Sequence, residues 1–203
     1  MVRPVTLSSP LLRLDQLLPA DAERVYEYCQ DPIFERYLHI PWPYQRSDAD
    51  SFVSGYIPAA WAADSEYTWA VRDPETAQLL GVIGLRLPSA SIGYWLGAPH
   101  RGHGHIPEAQ RLVIEWAFAN GVVDTISWQC LEGNMASARS ARNAGFTFTG
   151  VGPAIQAHRD GTYPPSWHAV LRSSDTREPK DGWPLEQPLG DPPPGADSPA
   201  GCG

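Results

Sequence analysis

Arg101-Gly102-His103-Gly104-His105-Ile106-Pro107-Glu108 stands between an apolar, aromatic run and a segment of helical periodicity. The run before it, Ile92-Gly93-Tyr94-Trp95-Leu96, reads as a buried strand. After it, from Ile106 to Asn120, Leu112, Val113, Trp116 and Ala117 recur on one helical face. Pro107 suits the first helical turn, where a missing N–H costs nothing. A strand, a glycine loop and a helix N-terminus in that order make an anion site. Unpaired amides and the positive end of the helix dipole converge there, and glycine lets a phosphate come close. A nucleoside-triphosphate loop of the Walker type needs Lys and Ser or Thr after its last glycine, but His105 and Ile106 follow Gly104. A dinucleotide fingerprint needs a third glycine where Pro107 stands.

The second informative stretch lies downstream. Thr125 to Cys130 reads as a strand, and Asn134-Met135-Ala136-Ser137 leads into a short helix over residues 137–143. Gly145, in Ala144-Gly145-Phe146, suits a left-handed helix end. With both motifs in this order the chain resembles the GNAT acyltransferase superfamily. Arg101 and Gly104 fit the family's Gln/Arg-x-x-Gly-x-Gly/Ala pyrophosphate loop, with Ile106 where Gly or Ala is usual. Asn134, Ser137 and Gly145-Phe146 fit its Asn-x-x-Ser…Gly-Phe pattern. Leu14 to Ala22 looks like the family's first strand and helix start. Ile40-Pro41-Trp42-Pro43-Tyr44 with Asp48-Ala49 resembles its variable arm. The Ile92–Leu96 run is similar to the ribosomal-protein alanine N-acetyltransferase branch, and the resemblance covers about Leu11 to Arg172.

The resemblance implies an α/β fold with a mixed, mostly antiparallel central sheet, a splayed fourth and fifth strand, and helices on both faces. It implies acetyl-CoA as cosubstrate and no metal. Backbone amides of Gly102, His103, Gly104, His105 and Ile106 would take the pyrophosphate, with Arg101 adding charge or bracing the loop. The pantetheine arm would pair along Tyr94, Trp95 and Leu96 as an added strand, and an amide near Leu96 would face the thioester carbonyl. Many relatives place an acidic Tyr seven residues after the Asn, where this chain has Ala141. Ser137 then stands as the acid for the departing thiolate, or as a helix N-cap. Asn134 holds the cofactor or shapes a turn. Gln156 occupies a neighbourhood where the branch can carry a carboxylate, which leaves His158 or Glu66 as the base. Trp42 and Tyr44, in the proline-stiffened arm, wall the acceptor slot or pack in the core. His100, His103 and His105 have no carboxylate or Cys beside them to complete a metal site.

The expected reaction moves an acetyl group to a primary amine, most plausibly an α-amine at a protein or peptide N-terminus. That amine has an unperturbed pKa near ~7.7–8.0, against ~10.4 for lysine, and needs less help to react. The alternatives are a small-molecule amine such as an antibiotic or polyamine, and a CoA-binding regulatory module without turnover.

The rest of the chain bounds this reading. Its 203 residues suffice for one domain with a proper core. Three cysteines, Cys29, Cys130 and Cys202, make no disulfide framework, and nothing reads as a signal peptide or membrane span, so a cytoplasmic protein is expected. The net charge of −8 disfavours nucleic acid as a partner. A monomer or homodimer fits equally. The catalytic domain is expected over residues 1–172. From Ser173 to Gly203 prolines, glycines and acids dominate, which predicts a disordered tail on which Trp183 and Leu185 are the only docking candidates.

Overall fold

The computed structural model describes residues 4–185. Two short strands, β1 (Leu7–Ser8) and β2 (Arg13–Asp15), lead through a 3₁₀ turn into helix α1 (Ala22–Tyr28). Asp31 then caps α2 (Pro32–Tyr37) by accepting from the Ile33 amide, a helix inside what the sequence presents as an irregular arm. The next helical stretch is predicted over 47–62 with an awkward Pro58. It forms as α3 (Arg46–Ser51), a π-helical turn over Phe52–Tyr56, and α4 (Ile57–Ala62). Pro58 has no N–H to continue the ladder, and the wide turn before it absorbs that loss.

Strands β3 (Glu66–Arg72), β4 (Leu79–Arg86) and β5 (Ser91–Leu96) form an antiparallel meander. The first hairpin turns on Asp73, whose carboxylate accepts from the Glu75 and Thr76 amides. Helix α5 (His105–Ala119) follows, then β6 (Thr125–Leu131), α6 (Met135–Asn143), β7 (Thr147–Pro153) and β8 (Pro165–Arg172). The eight-stranded sheet runs β1-β2-β3-β4-β5-β6-β8-β7. Every neighbouring pair is antiparallel except β5 and β6.

That parallel pair sets up the site. β5 and β6 meet at one residue pair, Ser91 with Ser127, where the Ser127 amide donates to Ala90 at 2.8 Å, and then diverge. They are the fifth and sixth strands rather than the expected fourth and fifth, because Leu7–Ser8 adds a strand at the sheet edge. Side chains on a strand alternate between faces. Trp95 packs against Tyr28 of α1 and Phe34 of α2, while Tyr94 beside it reaches Ser137 of α6. Helices therefore cover both faces, as expected.

The core is strongly aromatic. Trp61, Tyr67, Trp69 and Trp116 pack with ring centroids as close as 4.5 Å, and the buried indole N–H groups of Trp61 and Trp69 donate to the carbonyls of Thr68 and Val5. The buried Arg72 forks between Asp15 and Asp21, tying β3 to β2 and to the start of α1. No helix among the described residues is long and apolar enough to cross a membrane.

The predicted tail needs correction at its start. The segment from Ser173 to Leu185 is largely exposed but is tied to the domain at a few points. Trp183 is 7% exposed and packs on Trp128 and Phe148 at 5.5 and 5.4 Å. Lys180 donates to the Thr147 hydroxyl, and Arg142 donates to the Lys180 carbonyl. One indole buries ~200 Å² and polar cross-links hold the rest, so composition alone underestimated this segment. The backbone of Thr176 and Arg177 passes 2.7–2.9 Å from where a Cβ would sit on Gly145. Gly145 has φ +88°, so both its conformation and its neighbour demand glycine. The remainder of the predicted tail lies outside the described residues.

Candidate active site

The divergence of β5 and β6 opens a slot of about 1080 Å³ that runs from the loop before α5 to the arm after α2. The Gly97 amide donates to the Leu80 carbonyl. By the two-residue alternation of a strand, the backbone groups of Ile92, Tyr94 and Leu96 therefore face away from β4, toward the slot. Of these, the Ile92 amide serves the pairing with β6 and the Leu96 carbonyl takes Arg101, which leaves the Tyr94 groups and the Leu96 amide for an extended, amide-bearing ligand.

At one end lies the loop. Gly104 is the N-cap of the fifteen-residue α5, with φ +78°, and Gly102 has φ +80°. No atom lies within 4 Å of a Cβ built on either, so their Hα faces border open space. The amides of residues 102–106 donate to no backbone carbonyl, and the first bond of the helix is Glu108 N–H to Gly104. Five free amides therefore converge at the positive end of a long helix, the arrangement that a diphosphate requires.

Arg101 resolves its two alternatives in favour of the brace. Its Nε and Nη2 donate to the Leu96 carbonyl at 3.1 and 3.0 Å, Nη1 donates to Asp31 at 2.7 Å, and the guanidinium lies over Phe34. The loop is thereby tied to β5 and to the α2 cap. Burial works to raise the Asp31 pKa, but the Ile33 amide and Arg101 outweigh it and hold the carboxyl below its ordinary range.

Midway along, α6 meets the slot. Asn134 is the N-cap of α6, its side chain accepting from the Ser137 amide at 3.2 Å. Ser137 is thus not the cap, and its hydroxyl is free for the slot, 3.1 Å from the Tyr94 hydroxyl. Ala141, at the position where many relatives carry Tyr, is fully buried. Cys130 also lines the slot; burial pushes its thiol up to about 12, so it is a thiol and not a thiolate there.

The far end is built from four separate pieces. Glu66, 6% exposed, accepts from Tyr56 Oη at 2.6 Å and from Thr68 Oγ1 at 3.1 Å, and pairs with Arg86, whose Nε lies 3.2 Å away. Gly84 and Gly93 pair across β4 and β5 beneath these groups, and side chains there would collide with Glu66 or crowd Arg86. Tyr37 to Pro41 form the roof. Arg159, from the β7–β8 loop, clamps that roof by donating to the carbonyls of Glu35, Leu38 and Ile40.

Residues 12–147 match the acetyltransferase (GNAT) domain. The chain belongs to the GNAT acetyltransferases. It is 32% identical over 94 residues to "Probable N-acetyltransferase YjcK" of Bacillus subtilis (strain 168), a match covering 43% of this chain. The aligned part spans about half of that relative, 52% of its length. The Salmonella typhimurium acetyltransferase that modifies the N-terminal serine of ribosomal protein L7/L12 superposes with a TM-score of 0.73 at 16% identity, over 83% of this chain and 99% of that one. The microcin C7 self-immunity acetyltransferase MccE, solved with acetyl-CoA and AMP, gives 0.70 at 21% identity, over 81% and 93%. At such identities the likeness concerns the fold.

Within this GNAT chain the slot brings together most residues singled out from the sequence. Tyr94, Trp95, Leu96, Arg101, Gly102, Gly104, His105, Ile106, Asn134 and Ser137 line it, with Tyr44 and Glu66. Three candidates fall elsewhere. His103 stacks on His105 outside the lining. Trp42 is half-buried away from the slot, since the bend at Pro41–Pro43 turns Tyr44 inward instead. His158, a candidate base, sits in a tight turn closed by its amide to Thr162, and faces His39 at 5.5 Å rather than the slot.

His39 itself lines the slot; burial, then the nearby His158, Arg86 and Arg159, lower its pKa. Sequence reasoning passed over the chemical roles of His39, Tyr56 and Arg86. For Arg86 the turn at Asp73 gave no sufficient signal: it pairs Arg72 with Leu79, and the bulge at Val71/Arg72 then shifts the register by one and sets Arg86 opposite Glu66. Among the described residues no three His, Cys, Asp or Glu side chains are grouped to hold a metal.

Proposed function

We propose that this protein transfers the acetyl group of acetyl-CoA to a primary amine, and that the acceptor is the α-amine of a protein or peptide N-terminus. The observation that carries the reading is the continuous slot itself. It runs from five unpaired amides at the α5 N-terminus, past the unpaired edge of β5, to the Ser137 hydroxyl and then to Glu66. The amides of residues 102–106 are suited to the pyrophosphate, the β5 edge to the pantetheine amides, and the Leu96 amide to the thioester oxygen as it gains charge.

In the reaction the amine nitrogen bonds to the acetyl carbon and the carbon–sulfur bond breaks. Ser137 donates its hydroxyl proton to the departing sulfur and recovers one from solvent. Glu66 receives the acceptor: a carboxylate offers about four acceptor positions, two of them take Tyr56 and Thr68, and Arg86 pairs with its charge. A position left over receives an N–H of the incoming amine, whose excess proton leaves through water. An α-amine fits this arrangement because a sizeable fraction is neutral near its unperturbed pKa of ~7.7–8.0. The relative that modifies an N-terminal serine supports the same acceptor class.

Thiol release measured with acetyl-CoA against a panel of peptides with free N-termini and a panel of small amines tests the proposal. Turnover with peptides, lost on N-terminal blocking, is expected. Turnover confined to small amines removes the acceptor assignment. Acetyl-CoA binding without product on either panel removes the enzymatic reading. Ser137→Ala is expected to lower kcat by about 100-fold, the low end for general acid catalysis, while acetyl-CoA affinity stays within about twofold.

A further inference from the structure

We propose that Tyr94 is a positioning residue for the Ser137 hydroxyl: its phenol, held from behind by Trp128, keeps that hydroxyl with its proton turned into the slot. The inference rests on the assignment of Ser137 as the acid. Three contacts define the arrangement. Trp128 Nε1 donates to Tyr94 Oη at 3.1 Å; Tyr94 Oη lies 3.1 Å from Ser137 Oγ and 3.3 Å from the Ser137 carbonyl oxygen.

Direction follows from counting donors and acceptors. An indole N–H only donates, so Trp128 occupies the phenol oxygen as an acceptor. The phenol proton then has two targets, Ser137 Oγ at 3.1 Å and the Ser137 carbonyl at 3.3 Å, and we assign it to the nearer. Once that oxygen accepts from Tyr94, its own proton is left to point elsewhere, and the slot is the open side. Burial pushes the Tyr94 hydroxyl up to about 12. It therefore stays a donor throughout the neutral range.

A phenylalanine would fill the same space without ordering Ser137, and would strand the Trp128 N–H. If packing alone mattered at position 94, the hydroxyl would be superfluous. The same ring sits on β5, whose backbone edge faces the slot, so the strand that borders the thioester also aims the acid.

The test is a double-mutant cycle on the full chain, with Tyr94→Phe, Ser137→Ala and the pair. The readouts are kcat with saturating acetyl-CoA and the best acceptor of the panel, and the Kd of acetyl-CoA by calorimetry. Tyr94→Phe alone is expected to lower kcat about tenfold, the size of one well-placed hydrogen bond, with Kd within about twofold. In the Ser137→Ala background it is expected to cost nothing further. Trp128→Phe, which removes the N–H from behind together with part of the ring, is expected to show the same split. An equal loss in both backgrounds, a matching loss of acetyl-CoA affinity, or no loss at all overturns the inference. If Ser137→Ala itself leaves kcat intact, the acid assignment fails and this inference with it. A drop in Ser137→Ala without one in Tyr94→Phe refutes this inference alone.

Discussion

The two ends of the slot are made in opposite ways. The cofactor end is one continuous piece of chain, Ile92 to Ile106, and its working groups are backbone amides and strand-edge carbonyls. The acceptor end draws Tyr37–Pro41, the π-turn Tyr56, the strand pair Glu66 and Arg86, and Arg159, from across more than a hundred residues, and its working groups are side chains. Backbone chemistry needs only a conformation, which glycines and a helix start announce locally. Side-chain chemistry needs a register and a tertiary contact, which local pattern does not announce. A family can thus keep its cofactor end recognisable while its acceptor end varies.

The largest expected effect concerns an exception within the cofactor end. Trp183 supports Trp128 and, through it, Tyr94, although it comes from beyond the last strand. Trp183→Ala is expected to lower unfolding stability by about 3 kcal/mol, as large core truncations do. Urea denaturation measures it; a midpoint unchanged from wild type would mean that the segment rests on the surface without supporting it.

Gly104→Ala probes the backbone half. A φ of +78° costs a side-chain-bearing residue roughly 1–2 kcal/mol. Relief of that strain tilts the amides, so acetyl-CoA affinity should fall about fivefold to tenfold with the acceptor KM unaffected. Calorimetry and steady-state kinetics on the same variant separate the two. Equal weakening of both would erase the division between the ends.

Glu66→Gln makes the complementary test. The amide keeps the shape but loses the charge and one acceptor side, so the acceptor KM should rise about fivefold while acetyl-CoA Kd holds. A change in cofactor affinity alone would contradict the placement of Glu66 at the acceptor end.

The smallest effect concerns Asp31, the brace that joins the ends through Arg101. Its carboxyl pKa is depressed in the folded protein although burial opposes this. A depressed acid stabilises the fold above its unfolded pKa of ~3.9 and loses that contribution as pH falls through the lower folded value. Asp31→Asn should therefore cost under about 1 kcal/mol at pH 7, given partial exposure of the pair. The difference from wild type should shrink below about pH 4. A difference that persisted at pH 3 would assign the loss to the α2 cap instead of to charge.

The same contrast explains what could be read from the chain. The loop, the helix Ile106–Asn120 and the strand Ile92–Leu96 were legible to within a residue of the elements observed. Ser137 and Asn134 were found with two readings each; the cap alternative set against the acid for Ser137 falls to Asn134 instead, and the serine hydroxyl meets Tyr94. That distinction depends on where α6 begins, which pattern sets only to within a residue or two. Trp42 and His158 were misplaced because each lies in a bend whose direction is decided by packing. The segment after Ser173 looked too polar to dock, since one tryptophan and a few cross-links leave no periodic trace.

Amide spectra of isotope-labelled protein titrated with acetyl-CoA address the central claim most directly. The account predicts saturable shifts concentrated on the amides of Gly102, His103, Gly104, His105 and Ile106, with Tyr94 and Leu96 following along the β5 edge. Saturable binding that leaves those seven amides unmoved, or no binding, would contradict it.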